Sequence, residues 1–210
     1  MTIYLSPSVK HFTDDPFNFG CMFNIARQIG GQWDALENGC RWIIDNNQYK
    51  NGWTWAAWWH FLCLMADYKA TCLGIPIPDR VGDAIMTLHL FRVYHGVVRE
   101  MDYPVALVTQ DGMTSEMIPW PDVDCLFIGG SNYHKRGKEA QELIFEAKRQ
   151  GKWIHVGRTQ AGSTMLTHWP QADSFDGTTL IKHPTQQRQS IIDGVCRIRR
   201  GQVPFMLKML

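Results

Sequence analysis

Six short polar segments hold the residues best suited to covalent or acid–base chemistry, and each directly follows an apolar run. They are Asp45-Asn46-Asn47-Gln48-Tyr49, Asp79 after Ile77-Pro78, Gln110-Asp111-Gly112, Gly129-Gly130-Ser131, Gly157-Arg158 and Asp176-Gly177-Thr178. Carboxylates gathered at one place can divide the roles of nucleophile, general acid and general base. An amide beside them both donates and accepts, and glycines let the main chain approach a ligand where a Cβ would clash. Each segment also has a plainer use. Asp-Asn and Asp-Gly make turns, and an Asp after a strand commonly caps the next helix. The recurrence after successive apolar runs is what points to a shared site.

The elements that must position these segments are legible in the pattern. Apolar runs at Ile3–Leu5, Trp42–Ile44, Cys72–Ile75, Val105–Val108, Cys125–Ile128, Trp153–Val156 and, more weakly, Ser174-Phe175 suit strands buried on both faces of a parallel sheet. Helical patterns lie between them. From Gly137 to Gln150, Ala140, Leu143, Ile144 and Ala147 mark one face, with Gly151 as the stop. A second helix runs from about Val81, with Ala84, Leu88 and Phe91 on one side. Alternating strands and helices predict a compact TIM-like (β/α) barrel of parallel strands, in one domain spanning 1–210. Seven strands are visible, so the barrel is either reduced or hides an eighth between Asp14 and Gly39. A doubly wound sheet is disfavoured because Leu5-Ser6-Pro7-Ser8 is not a glycine-rich phosphate loop. In such a barrel the strand ends converge on one mouth, where active sites form.

The bulk numbers exclude several classes. With 45% hydrophobic residues over 210 positions, the chain can bury one substantial core, and a disordered chain is excluded. No run approaches roughly 18 apolar residues, the length that marks a membrane span, and no secretory leader is visible, so a cytoplasmic location is expected. Six scattered cysteines without a C-x-x-C, and histidines without helical pairing, give neither a disulfide framework nor a metal site. No metal or cofactor is expected. The net charge of +1 is uneven. Thr179 to Leu210 holds six Lys/Arg, Lys182, Arg197, Arg199 and Arg200 among them, against one acid. This basic helical segment, about 179–210, either meets a phosphate backbone or forms a solvated face. The Trp53, Trp55, Trp58 and Trp59 cluster reads as helix packing against the barrel wall, with base stacking the lesser alternative.

In order and spacing, the polar segments resemble the tRNA-guanine transglycosylase family. Its barrel strands end in Asp-Ser-Gly-Gly-Phe/Tyr, an Asp, Val-Gln-Gly-Gly, Ile-Gly-Gly, Met-Gly-Val-Gly and Phe-Asp-Cys. The stretches Asp45–Tyr49, Pro78-Asp79, Thr109–Gly112, Ile128–Gly130, Val156–Arg158 and Ser174–Gly177 are similar to these in turn. Phe127 to Thr178 most resembles the short phage relatives that place 7-deazaguanine bases into DNA (the DpdA type).

The resemblance implies base exchange in a polynucleotide. Asp176 would attack the sugar C1′ and form a covalent glycosyl-enzyme while guanine leaves, and Asp45 would act as general acid/base. Asp79 and Gln110 would hydrogen-bond the purine edge, the Gly129-Gly130 backbone would approach its exocyclic groups, and Tyr49 and Val156 would sandwich the ring. Arg158, Lys182, Arg197, Arg199 and Arg200 are the candidate phosphate contacts. The incoming base would be a 7-deazaguanine such as preQ0. The family's zinc subdomain, three cysteines and a histidine, has no counterpart, since Cys196 stands alone. Asn47, Gln48 and Asp111 replace family glycines. A missing tRNA-side subdomain favours DNA over RNA. A small glycosidase or nucleoside deoxyribosyltransferase using the same carboxylates is the alternative enzyme. A barrel-derived DNA-binding subunit is disfavoured by the complete carboxylate set.

Overall fold

Eight parallel strands form the centre of the molecule in a computed structural model. It describes residues 2–6, 19–24, 33–46, 48, 53–159, 168–177 and 183–202. The strands are β1 (Ile3–Ser6), β2 (Phe19–Asn24), β3 (Trp42–Asp45), β4 (Ile75–Pro76), β5 (Val105–Val108), β6 (Cys125–Ile128), β7 (Trp153–Val156) and β8 (Ser174–Asp176). Each pairs in parallel with its neighbour, and β8 pairs with β1. The remaining gap, between β3 and β4, is bridged where Trp42 pairs with Cys72 and the Leu73 N–H donates to the Trp42 carbonyl at 2.8 Å. The sheet is therefore a closed (β/α) barrel, with the hidden strand supplied by β2.

Alternation along each strand separates two layers of core. Ile3, Leu5, Met22, Ile43, Ala106 and Cys125 fill the barrel interior, with Phe127 and Trp153 against them. Tyr4, Phe23, Ile44, Leu107, Leu126, Ile154, Val156 and Phe175 face outward and meet the helices. Those helices are α1 (Trp33–Glu37), α2 (Trp55–Leu64), α3 (Ala84–Glu100), α4 (Asn132–Arg136), α5 (Lys138–Arg149) and α6 (Pro184–Arg199). The faces expected for α3 and α5 are the buried ones. Gly151 follows α5 with a φ of +68°, which few residues other than glycine adopt readily.

Trp58 is buried in the outer layer, as packing against the wall requires. Trp55 and Trp59 stack on each other with centroids 5.7 Å apart and stay partly exposed. Among the described residues no helix is long and apolar enough to cross a membrane.

Phe91 is fully buried where α3 meets the wall. Phe91→Ala should lower unfolding free energy by about 3–5 kcal/mol. Urea titration should show this as a shifted midpoint, and a change below about 1 kcal/mol would contradict the layer assignment.

Candidate active site

The described residues of all six polar segments sit at the carboxyl ends of consecutive strands. Asp45 closes β3, Asp79 follows β4, Gln110 follows β5, Gly129 follows β6, Gly157 follows β7, and Asp176 closes β8. Helix capping does not account for the buried acids. Asp83, Thr54 and Ser131 cap α3, α2 and α4 with their own side chains, whereas Asp79 and Asp176 bond elsewhere.

On the β3–β5 side, the Asp79 carboxylate is buried between two amides. Asn46 Nδ2 donates to Oδ1 at 2.8 Å, and Gln110 Nε2 donates to Oδ2 at 2.7 Å. Gln110 Oε1 accepts from the Gly82 N–H, so the amide's orientation is fixed. Burial raises the Asp79 pKa, and the nearby Asp45 adds to this, while the two amides pull the other way. Asp45 is exposed and accepts from Asn24 Nδ2 at 3.4 Å.

On the β6–β8 side, Asp176 is 8% exposed and held from both sides. The Arg158 N–H donates to Oδ1 at 3.0 Å, and His155 Nε2 lies 2.9 Å from Oδ2. Its backbone carbonyl accepts from the Thr159 N–H and hydroxyl. Arg158 adopts φ +56°, an uncommon conformation for a side-chain-bearing residue, and its Nη2 donates to the Gly130 carbonyl at 2.9 Å. The β6 and β7 loops are thereby joined.

Two glycines here are dictated by space. A Cβ on Gly177 would lie 2.2 Å from the Thr159 carbonyl oxygen and 2.7 Å from the Tyr4 hydroxyl. Gly130 has φ +73°, and a Cβ there would meet the Asp111 carboxylate at 2.7 Å.

Three expectations need correction or lie beyond reach. Val156 is fully buried and points outward into the helix layer, so it cannot line the mouth or cover a purine. The register that turns His155 and Gly157 inward turns Val156 away. Arg199 donates to the Thr2 carbonyl, just before β1. This puts the end of α6, with Arg197 and Arg200, at the base of the barrel opposite the mouth. These three arginines are thus badly placed for phosphates of a nucleotide seated there. Tyr49 and Lys182 lie outside the described residues.

The sequence reading missed Lys135 and His155. Lys135 follows the Gly129-Gly130-Ser131 turn on α4, is 1% exposed, and donates from Nζ to the Gly157 carbonyl at 2.8 Å. Burial pulls its pKa down to about 8, helped by Arg158 and opposed by Asp176. In the sequence His155 is one of several histidines without metal-site pairing. The signal for more lay in strand alternation, which puts it on the same face as Gly157 and opposite Ser174 in β8.

An open cavity of about 720 Å³ lies at the other end of the barrel, lined by Arg41, Lys152, Trp153 and Asp124 among others. Its carboxylate, Asp124, is committed to Arg99 at 2.7 Å and the Val105 N–H at 2.8 Å. The buried acids Asp79 and Asp176 are at the mouth instead.

Comparison with known proteins bears on the fold. No family model matches the chain. No curated protein matches it either. Solved structures do. Tryptophan synthase from M. tuberculosis, in its aminoacrylate- and BRD0059-bound form, is 13% identical with a TM-score of 0.57, covering 92% of both chains. KGPDC from Streptococcus mutans is 12% identical with a TM-score of 0.51, covering 93% of this chain and 97% of the other. The L-Ala-D/L-Glu epimerase of Bacillus subtilis is 13% identical with a TM-score of 0.51, covering 86% of this chain and 54% of its own. At these identities the likeness establishes the barrel fold and nothing of the chemistry.

The Lys135 pKa gives a signed test. The cost of burying its charge is full below the folded-state pKa of about 8 and is relieved as pH rises toward the ordinary lysine value of 10.5. The unmutated protein should therefore gain stability relative to Lys135→Met between those two values. A stability difference that stays flat across the window, measured by denaturant titration, would contradict the buried ammonium.

Proposed function

We propose that the chain is a base-exchange transglycosylase that replaces guanine in DNA with a 7-deazaguanine base such as preQ0. The observation that carries the reading is positional. Six segments similar to the transglycosylase motifs fall in the family's order at the ends of six consecutive strands, β3 to β8.

The chemistry at the mouth suits this. Asp176 forms a bond from a carboxylate oxygen to C1′ as the C1′–N9 bond breaks and its electron pair leaves with guanine. Asp45, the exposed acid, supplies the proton that the departing base needs and takes one from the incoming base. Asp79 now accepts two amide N–H groups, one on each oxygen. The N1–H and amino group of a guanine-type edge present the same two-donor pattern, so a base would exchange partners with the amides. Gly129 and Gly130 lie beside this edge, and a Cβ on Gly129 would lie 2.8 Å from the Thr109 carbonyl oxygen. Arg158 remains the phosphate candidate at the mouth.

A second reading gains from one observation. With the α6 arginines at the barrel base, the basic C-terminal segment no longer argues for a polynucleotide, which favours a nucleoside deoxyribosyltransferase using the same carboxylates. Incubating duplex DNA or free deoxyguanosine with the protein and a 7-deazaguanine, then weighing the nucleosides, separates the two. Exchange into DNA supports the proposal, and exchange into free nucleoside alone replaces it.

Asp176→Asn should abolish exchange while the fold is retained, because the amide matches the carboxylate in shape and its oxygen can still accept from the Arg158 N–H, but it is no nucleophile. Denaturing the unmutated protein during turnover should trap a protein–DNA adduct. An Asp176→Asn protein exchanging guanine at near the parent rate would overturn the assignment. Asp79→Ala should weaken free-base binding by about 1.5–3 kcal/mol, and unchanged affinity by calorimetry would remove Asp79 from the base edge.

A further inference from the structure

Inside the barrel, behind Asp176, three side chains form an uninterrupted hydrogen-bonded chain. Trp153 Nε1 donates to Ser174 Oγ at 2.8 Å, Ser174 Oγ is 2.9 Å from His155 Nδ1, and His155 Nε2 is 2.9 Å from Asp176 Oδ2. Ser174 and His155 are fully buried. Register makes the chain possible, because His155 and Ser174 are direct partners across β7 and β8, and Asp176 follows two residues later on the same face.

The donor and acceptor types in this chain favour one placement of the hydrogens. An indole N–H only donates, so Ser174 Oγ must accept from Trp153. The serine hydrogen is then free to point at His155 Nδ1. An ionised carboxylate only accepts, so Nε2 must carry the imidazole hydrogen. In that placement every donor points the same way, from Trp153 toward Asp176, and such chains polarise cooperatively. The Phe127 ring, 4.4 Å from the imidazole in edge contact, closes the remaining side.

We propose that the Trp153–Ser174–His155 chain is a positioning device that fixes the neutral Nε2–H tautomer of His155 and through it the orientation and charge of Asp176. This inference rests on the transglycosylase reading only for the step it serves. His155 holds one oxygen and the Arg158 N–H the other, so the carboxylate cannot rotate. When an Asp176 oxygen bonds C1′ and C1′–N9 breaks, the carboxylate loses its charge. The neutral imidazole then follows this change without delivering a proton that would quench the nucleophile. Second-sphere partners of this kind set the tautomer and aim of the group they support.

The tautomer is directly observable. In two-bond 1H–15N spectra of the labelled whole protein, the His155 signals, assigned by their loss in His155→Gln, should show a hydrogen on Nε2 and a bare Nδ1. A hydrogen on Nδ1 would overturn the proposal whatever reaction the protein performs. Ser174→Ala removes the group that specifies the tautomer, and its His155 signals should become those of a mixture. Its kcat for exchange should fall on the order of 10–100-fold with little change in KM for the free base. His155→Gln, which retains an N–H donor, should keep more activity than His155→Leu of the same thermal stability. Equal rates in these two variants, or a Ser174→Ala effect confined to KM, would reduce the chain to packing. Absence of any adduct in the unmutated protein would remove the transglycosylase reading, and the tautomer measurement would still decide the chain.

Discussion

The structure depends on a seam. Seven of the eight strand junctions are ordinary parallel ladders, but β3 meets the segment just before β4 through an isolated backbone bridge between Trp42 and Cys72. Above that bridge the joint is continued by a side chain. Asn46 Nδ2 donates to the Ile77 carbonyl at 3.3 Å, as a backbone amide would in a longer strand, and also to Asp79 at 2.8 Å. An open sheet would expose two edges of unpaired donors and acceptors. Closure removes them and brings Asp45 and Asp79 to the same rim. The element that completes the barrel is thus also part of the candidate base-reading edge.

Most of the architecture was legible because buried parallel strands leave continuous apolar runs, and seven could be read. The eighth escaped for a physical reason. In β2, Gly20 interrupts the run, and it must be small because a Cβ there would lie 2.4 Å from Leu5 and 2.6 Å from the Arg41 carbonyl oxygen. A residue chosen for close strand approach reads as a breaker in the sequence. β4 was displaced for a related reason. Gly74 leaves room for Ala106 and Cys125 in the interior, and regular pairing resumes only at Ile75.

The site divides along the same lines. The carboxylates and glycines at strand ends were legible because polar residues bounding apolar runs stand out. His155, Ser174 and Trp153 were not, because they lie inside runs that look like wall. What distinguishes them is the phase of alternation, which a closed barrel converts into interior or exterior. The same phase removed Val156 from the mouth. The α6 arginines could not be placed from the sequence, because composition reports charge but not which end of the barrel a helix returns it to.

The seam has a thermodynamic consequence. Asn46 shares its one amide between holding the barrel closed and holding Asp79, so a ligand that competes for Asp79 alters how the wall itself is joined. Occupancy and global stability then become linked variables. A ligand that leaves Asn46 bonded to the Ile77 carbonyl, with its second hydrogen turned toward itself, would tighten the joint. One that draws Asn46 away would loosen the barrel along this one line. Discrimination between ligands would in that case be expressed partly as elasticity of the scaffold.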